Sequence, residues 1–106
     1  MDKAKLCDVV SSGIIEWRKH ALERMLQRNI TRNEAKEALL FGEVIEIYKD
    51  DKPFESALFL HIDIEPLHVV ASLDAEQGMV YIITAYRPDN ENFENDFKTR
   101  RKDANE

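Results

Sequence analysis

The stretch Thr31–Tyr48, TRNEAKEALLFGEVIEIY, decides the fold, because the spacing of its apolar residues changes from that of a helix to that of a strand. Thr31 and Glu34 have the capping-box spacing, in which each side chain satisfies a free backbone amide at the start of a helix. Gly42 predicts the end of that helix. From Glu43 onward the pattern is typical of a strand, so the sequence predicts an α+β domain.

Two more helices are predicted before this stretch. The first spans residues 2–11, with Asp2 as its N-cap and Gly13 just past its end. The second spans residues 18–28 and is approached through Ile14–Trp17. The apolar positions with helical spacing are Leu6, Val9 and Val10 in the first, and Ala21, Leu22, Met25 and Leu26 in the second.

The rest of the chain predicts a sheet and one last helix. Short connections force neighbouring strands to be antiparallel. Phe93 and Phe97, one helical turn apart after Asp89, predict the short C-terminal helix, and the tail from Lys98 is expected to fray. The expected fold is therefore N-terminal helices packed on a four-stranded antiparallel sheet, with a short C-terminal helix. The predicted strands are 44–48, 56–62, 67–73 and 79–86.

Composition limits the possible functions. A chain of 106 residues with one cysteine, Cys7, is expected to form a single domain over 1–106 without an internal disulfide. Cys7 is predicted to be a small core thiol. The apolar runs are too short to span a bilayer, and the N-terminus lacks the apolar segment of a signal peptide. We therefore expect a cytoplasmic protein with no membrane partner. The sequence contains no glycine-rich phosphate loop, and we predict no cofactor.

Charge limits any contact with nucleic acid. The formal net charge is −6, whereas phosphate binding needs cations. A local basic patch is therefore required, and His20, Arg24 and Arg28 supply one, since residues four apart share a helix face. Arg18 and Arg32 lie near its ends. Guanidinium groups suit phosphate and histidine can move protons, although an ordinary solvated face with paired arginines would have the same pattern.

A second set of polar residues depends on strand register. A four-residue turn at 63–66 would place His61 opposite His68, and a five-residue loop at 74–78 would place Leu73 opposite Met79 and His68 opposite Thr84. These residues and Tyr86 would then share one face of the sheet, with Arg87 just beyond its end. Such a group suits proton transfer and phosphate stabilisation in RNA cleavage by 2′-hydroxyl attack. The alternative is that His68 is a hydrogen-bonded, partly buried residue.

A metal site is a further alternative. His61, Asp63 and His68 can be imagined as ligands across the turn, with His20 joining them. The sequence has no His-Glu-x-x-His pattern and no pair of histidines four apart. We therefore predict that the site holds no metal.

Five short motifs carry a resemblance to a known family, over about residues 14–101. The chain resembles a bacterial and archaeal family of uncharacterised small domains, which is similar to the RelE/ParE-like toxins. The motifs are HALERM at His20–Met25, RNIT at Arg28–Thr31, GEVIE at Gly42–Glu46, PLHVV at Pro66–Val70 and IITAYRPD at Ile82–Asp89.

The resemblance implies a RelE-like fold and, as a function, metal-independent RNA cleavage of the kind performed by toxins that an antitoxin protein silences. RNA and an antitoxin are the partners it implies. The residues it implies for catalysis are His20, Arg24, His68, Tyr86 and Arg87. From their places on the helix face and the sheet face, we predict that Arg28, Arg32 and Thr84 hold the RNA.

Two hypotheses follow, and the oligomeric state is left open by both. The first is an RNA endonuclease of the RelE-like class, which requires His20, Arg24, His68 and Tyr86 to meet in one pocket. The second is a non-catalytic module that uses the same fold to bind a protein. The positions of the two histidines relative to each other discriminate between them.

Overall fold

The structure is a computed structural model that describes residues 1–102. Over these residues the chain forms three helices and five strands around one sheet, an α+β arrangement. In chain order they are α1 Lys3–Ser12, β1 Ile15–Trp17, α2 Lys19–Gln27, α3 Arg32–Phe41, β2 Glu43–Tyr48, β3 Ser56–Ile62, β4 Pro66–Asp74 and β5 Met79–Tyr86.

The helix caps form at the residues predicted from the sequence. The side chain of Asp2 accepts a hydrogen bond from the backbone of Lys5, and α1 ends at Gly13 with φ of 91°, in the left-handed region. Both hydrogen bonds of the capping box between Thr31 and Glu34 are present at the start of α3. The three predicted helices are therefore confirmed.

The sheet has five strands in the order β1-β5-β4-β3-β2, and it is mixed. The expected purely antiparallel, four-stranded sheet is wrong in one respect: Ile15–Trp17 is a strand and not merely the approach to α2. It pairs in parallel with Val80–Ile82 at the edge of the sheet. A parallel pair needs a long crossover, and the chain between β1 and β5 provides one.

The predicted register is also corrected. His68 pairs with Leu60 on one side and with Tyr86 on the other, not with His61 and Thr84, and Met79 pairs with Asp74. A β-bulge between Val70 and Ala71 shifts the pairing of β4 and β5, and loop lengths do not reveal such an insertion. His61 is one residue out of step with the prediction, so it lies on the opposite face from His68.

The helices cover one face of the sheet, and this face holds the main core. Ala57 and Phe59 of β3 belong to that core, together with Leu6 of α1 and Leu39 of α3. Residues 56–60 are buried without interruption, although neighbouring side chains of a strand point to opposite faces. The opposite face of the central strands is therefore covered too.

The second cover is a C-terminal strap, which we define as residues 89–102. The expected C-terminal helix is wrong: Phe93 instead forms an antiparallel bridge with Arg100. Asp96 accepts hydrogen bonds from the backbone of Lys98 and Thr99, and this turn competes with a helix. Lys98 and Arg100 pair with carboxylates of β2, so these two residues are held against the sheet and do not fray as predicted. The tail beyond 102 lies outside the described residues.

Candidate functional site

His68 lies at the centre of the strap-covered face and is fully buried. Its Nε2 lies 2.7 Å from the carbonyl oxygen of Phe97, and its Nδ1 lies 3.2 Å from the hydroxyl oxygen of Tyr86. A carbonyl only accepts, so Nε2 carries the proton and Nδ1 accepts from the tyrosine. Burial lowers the pKa of His68, in agreement with a neutral ring, and burial likewise raises the pKa of Tyr86.

Aromatic rings and an ion pair close this environment. The ring of Phe93 meets that of His68 edge-on at 4.6 Å between centroids, and the guanidinium of Arg100 lies 4.9 Å from the centre of the Phe93 ring. Arg100 also donates two hydrogen bonds to Glu46, at 2.7 and 3.0 Å. The strap thus fills the space beside His68 and fastens itself to β2.

The same ion pair organises a small polar network on β2. Tyr48 donates a 2.5 Å hydrogen bond to Glu46. Burial and this bond raise the pKa of Tyr48 to about 12. Burial opposes ionisation of Glu46, but hydrogen bonds from Arg100 and Tyr48 outweigh it, so the pKa of Glu46 is lowered. Glu46 is therefore a carboxylate at neutral pH and holds the strap in place.

A second group of predicted residues lies on α2 and its two ends, and we call it the basic ridge. His20 has a side chain that is 92% exposed, and its ion-pair partner is Glu23, at 3.7 Å. Arg28 donates a 2.9 Å hydrogen bond to the carbonyl oxygen of Ala85, which ties the end of α2 to β5. The members of the ridge, all exposed, are Arg18, Lys19, His20, Arg24, Arg28 and Arg32.

Of the remaining predicted residues, Thr84 and Tyr86 lie on β5 and Arg87 lies just beyond its end. Thr84 and Tyr86 lie on the same face as His68, as predicted. Arg87 instead forms an ion pair with Glu34 of α3, and its Nε lies 3.5 Å from Glu65. These contacts help to close a pocket of about 240 Å³ between α3 and the β3–β4 turn.

The predicted catalytic residues therefore belong to three places. His68 and Tyr86 contact each other under the strap, His20 and Arg24 lie exposed on the basic ridge, and Arg87 lines the pocket beside α3. Among the described hydrogen bonds and ion pairs, none joins His20 to a residue of either other place. The structure does not bring all five residues into one cleft.

Two features of the structure were not predicted from the sequence. The strap places Phe93 and Arg100 against His68, and the aromatic pair that signalled a helix was the only hint of it. A pocket of about 240 Å³ beside the start of α2 is lined by Arg18, Phe54 and Tyr81, among others. Arg18 stands at the N-cap position of α2 without a side-chain cap, an unusual choice that could have drawn attention to it.

Metal ligation has no support from the geometry. In the part of the chain that the structure describes, no three histidine, cysteine, aspartate or glutamate side chains are grouped as metal ligands. His61 and His68, imagined as ligands across the β3–β4 turn, lie on opposite faces of the sheet. Cys7, predicted to be a core thiol, is only partly buried, with its sulfur 3.9 Å from the carbonyl oxygen of Leu40.

The fold and surface define a class: small α+β domains with helices on one face of a mixed sheet and a basic helix beside one of its strands. The family model described as Domain of unknown function (DUF4258) matches residues 17–87, and the chain belongs to that family. The expected membership of a family of uncharacterised domains is thereby confirmed. No curated protein and no solved structure matches the chain. Among residues 1–102, no helix has the length and apolar character that crossing a bilayer requires.

Proposed function

We propose that the chain binds single-stranded RNA on the basic ridge and cleaves it without a metal, in the manner of the RelE/ParE-like toxins that it resembles. One observation carries the proposal: an acidic protein keeps a cluster of exposed cations on α2 and at its two ends. Residues 18–32 contain five arginines and lysines and one glutamate, a formal charge of +4, whereas the whole chain carries −6. Such a local field attracts phosphate.

The arginines outside the ridge are used differently. Within residues 1–102, Arg87, Arg100 and Arg101 each lie within ion-pair distance of a glutamate. Over residues 1–102, no arginine or lysine of the basic ridge lies within ion-pair distance of a carboxylate. The arginines of the ridge differ in this respect from the arginines outside it. The ridge therefore offers its guanidinium groups to an outside anion.

His20 is the residue of the ridge that can move protons. It lies one helical turn from Arg24, so a phosphate held by Arg24 would have His20 beside it. In the proposed step the ribose 2′-oxygen attacks the adjacent phosphorus while His20 takes the 2′-hydroxyl proton. The bond from phosphorus to the 5′-oxygen breaks, and water donates a proton to that oxygen. A 2′,3′-cyclic phosphate and a 5′-hydroxyl result, and His20 returns its proton to the hydroxide.

His68 takes no part in this step. Both of its ring nitrogens are engaged within the protein, and the strap separates it from solvent. The proposed role of His68 and Tyr86 is to hold the sheet face and the strap together. The first hypothesis required His20, Arg24, His68 and Tyr86 to meet in one pocket, and they do not. The proposal therefore replaces that single cleft with a site on the basic ridge alone.

Binding is tested with a labelled single-stranded RNA in EDTA, by fluorescence anisotropy at several salt concentrations. Arg24→Ala and Arg32→Ala are compared with Lys49→Ala, which removes the same charge from an exposed loop position. Each ridge variant is expected to weaken binding and to reduce the slope of log K against log salt by about 0.7. If Lys49→Ala weakens RNA binding as much as the ridge variants do, or if the ridge variants have no effect, the RNA does not bind on the basic ridge.

Cleavage is tested separately, with the same RNA and analysis of the product ends. The wild-type protein is expected to give 2′,3′-cyclic phosphate ends in EDTA. His20→Gln is expected to bind RNA as wild type does and to lose cleavage, whereas His61→Gln is expected to retain both. If His20→Gln still cleaves the RNA, the cleavage is due to another residue or to a contaminating nuclease.

A second candidate function, protein binding without catalysis, is favoured by one observation. Apolar side chains project into solvent around the β3–β4 turn: Ile64 is 93% exposed, and Phe41 and Ile62 are also exposed. The ring of Phe41 lies 6.3 Å from that of His61, so these residues form one corner of the molecule. Exposed apolar patches often mark protein contacts. An Ile64→Ser variant that binds and cleaves RNA as wild type does would separate this corner from the RNA function.

A further inference from the structure

A pocket lies beside the start of the basic ridge, between the β2–β3 loop and the strap-side face of β4 and β5. We call it the aromatic pocket. It has a volume of about 240 Å³, which is below the range of pockets for drug-sized ligands and suits one flat ring system. Arg18 lines this pocket and also begins the basic ridge. An RNA strand on the ridge would therefore pass its mouth.

The walls of the aromatic pocket are flat. The rings of Phe54 and Tyr81 are almost parallel, with 11° between their planes and 5.9 Å between their centroids. The guanidinium carbon of Arg18 lies 5.9 Å from the centre of the Tyr81 ring. Both aromatic side chains line the pocket and are only partly buried. Aromatic rings beside an arginine are the usual platform for an unstacked base.

Polar groups accompany these walls. The Ser72 hydroxyl makes no hydrogen bond within the described residues, although the residue is only 6% exposed. Asp51 accepts a hydrogen bond from the hydroxyl of Ser56 through one carboxylate oxygen, and its other oxygen has no partner there. Lys52 adds an exposed ammonium group. A hydroxyl, a carboxylate and an ammonium can meet both the donors and the acceptors on the edge of a base.

We infer that the aromatic pocket is a subsite for one unstacked nucleobase of the RNA on the basic ridge, an inference that rests on the proposed function. The ridge holds the backbone, and the pocket holds the base next to the start of α2. Phe54 and Tyr81 supply stacking, Arg18 bridges the two surfaces, and Ser72 and Asp51 contact the edge of the base. The pocket thereby fixes which nucleotide lies beside the ridge.

The test compares two labelled single-stranded RNAs that differ at one internal position, a base in one and an abasic ribose in the other. Since stacking of a base is worth about 1–3 kcal/mol, the intact RNA is expected to bind roughly 5- to 150-fold more tightly. Phe54→Leu and Tyr81→Leu are expected to bind the intact RNA and the abasic RNA with equal affinity. Neither variant is expected to change the slope of log K against log salt. Arg24→Ala is expected to weaken both RNAs equally. Circular dichroism and thermal unfolding establish that each variant is folded.

A second measurement tests the pocket without the ridge. Adenosine monophosphate is titrated into the protein, and the ring resonances of Phe54 and Tyr81 are followed by NMR. Shifts of both rings, with the Tyr81 shift lost in Phe54→Leu, support a base-binding pocket independently of the ridge. If the intact and the abasic RNA bind equally well and the ring resonances do not shift, the proposed subsite is refuted. RNA binding on the basic ridge is then still supported. If neither RNA nor the nucleotide binds, both proposals fall.

Discussion

His68 of β4 and Tyr86 of β5 are direct cross-strand partners, and the tyrosine hydroxyl donates to Nδ1 of the buried histidine at 3.2 Å. Tyr86→Phe removes the donor and leaves Nδ1 without a partner. We expect a loss of about 1–3 kcal/mol in the free energy of unfolding, measured by urea denaturation. Tyr81→Phe is the matched control, because the Tyr81 hydroxyl makes only a 3.8 Å contact with the sulfur of Met79. Equal losses in the two variants would contradict the bond.

Stability is expected to fall as the pH falls below about 6.5, the ordinary pKa of histidine. Burial lowers the pKa of His68 in the folded protein, so the unfolded chain binds the proton more readily. The stability that the neutral His68 ring contributes is fully present above the pKa that His68 has in the unfolded chain. This stability is lost as the pH falls through the lower pKa of His68 in the folded protein. Glu46, Arg100 and Tyr86 face the ring, and the pKa of Glu46 is lowered, so the window between pH 5 and 7 reports on His68.

The measurement is the free energy of unfolding at several pH values in that window. His68→Gln should flatten the dependence, whereas His20→Gln, which alters an exposed ring, should retain it. A slope that persists in His68→Gln would assign the effect to another group.

The strap is expected to contribute strongly to stability through Phe93, which is 2% exposed. Phe93→Ala should lower the free energy of unfolding by about 3–5 kcal/mol, the usual cost of removing a buried phenylalanine. Phe41→Ala makes the same chemical change at a side chain that is 72% exposed and should cost far less. Thermal and urea unfolding of both variants measure the difference. Similar losses would mean that the strap does not pack on the sheet in solution.

Gly42 is expected to tolerate no side chain. A Cβ there would collide with the carbonyl oxygen of Ala38 and lie 2.7 Å from that of Leu60, and neither backbone atom can rotate away. Gly42→Ala should cost about 3 kcal/mol in unfolding free energy. Gly78→Ala is the comparison, since its Cβ would meet nothing within 4 Å and only the φ of 65° is unfavourable, at about 1 kcal/mol. If Gly78→Ala lost more unfolding free energy than Gly42→Ala, then α3 and β3 would lie further apart in solution than in the structure.

Much of the fold was predictable because its signals are local. The capping box at Thr31 and the N-cap at Asp2 depend on residues three apart, and both formed as expected. The strands β2 to β5 followed from their apolar runs. The parallel pairing of Ile15–Trp17 with β5 could not be read in this way, because three residues are too short for a period and their partner is more than sixty positions away.

The candidate site was less predictable because it depends on register and on the strap. The bulge at Val70 decides which residue His68 meets, and it leaves no mark in the lengths of the loops. The spacing of Phe93 and Phe97 suits a helix equally well, so only the tertiary contacts with His68 and Arg100 reveal their role. The exposed stripe of His20 and Arg24 was correctly placed, since helical spacing alone determines it.

The strap has a consequence for how this protein is divided. The family match ends at residue 87, but the strap that buries His68 begins two residues later. A fragment that ended at residue 87 would lack the carbonyl oxygen of Phe97 and the ring of Phe93, so His68 would lose the hydrogen-bond partner of Nε2 and part of its cover. The segment that the family model matches is therefore shorter than the part of the chain that packs on the sheet. Experiments on an isolated piece should carry residues 88–102 along, or they will report on an unprotected sheet.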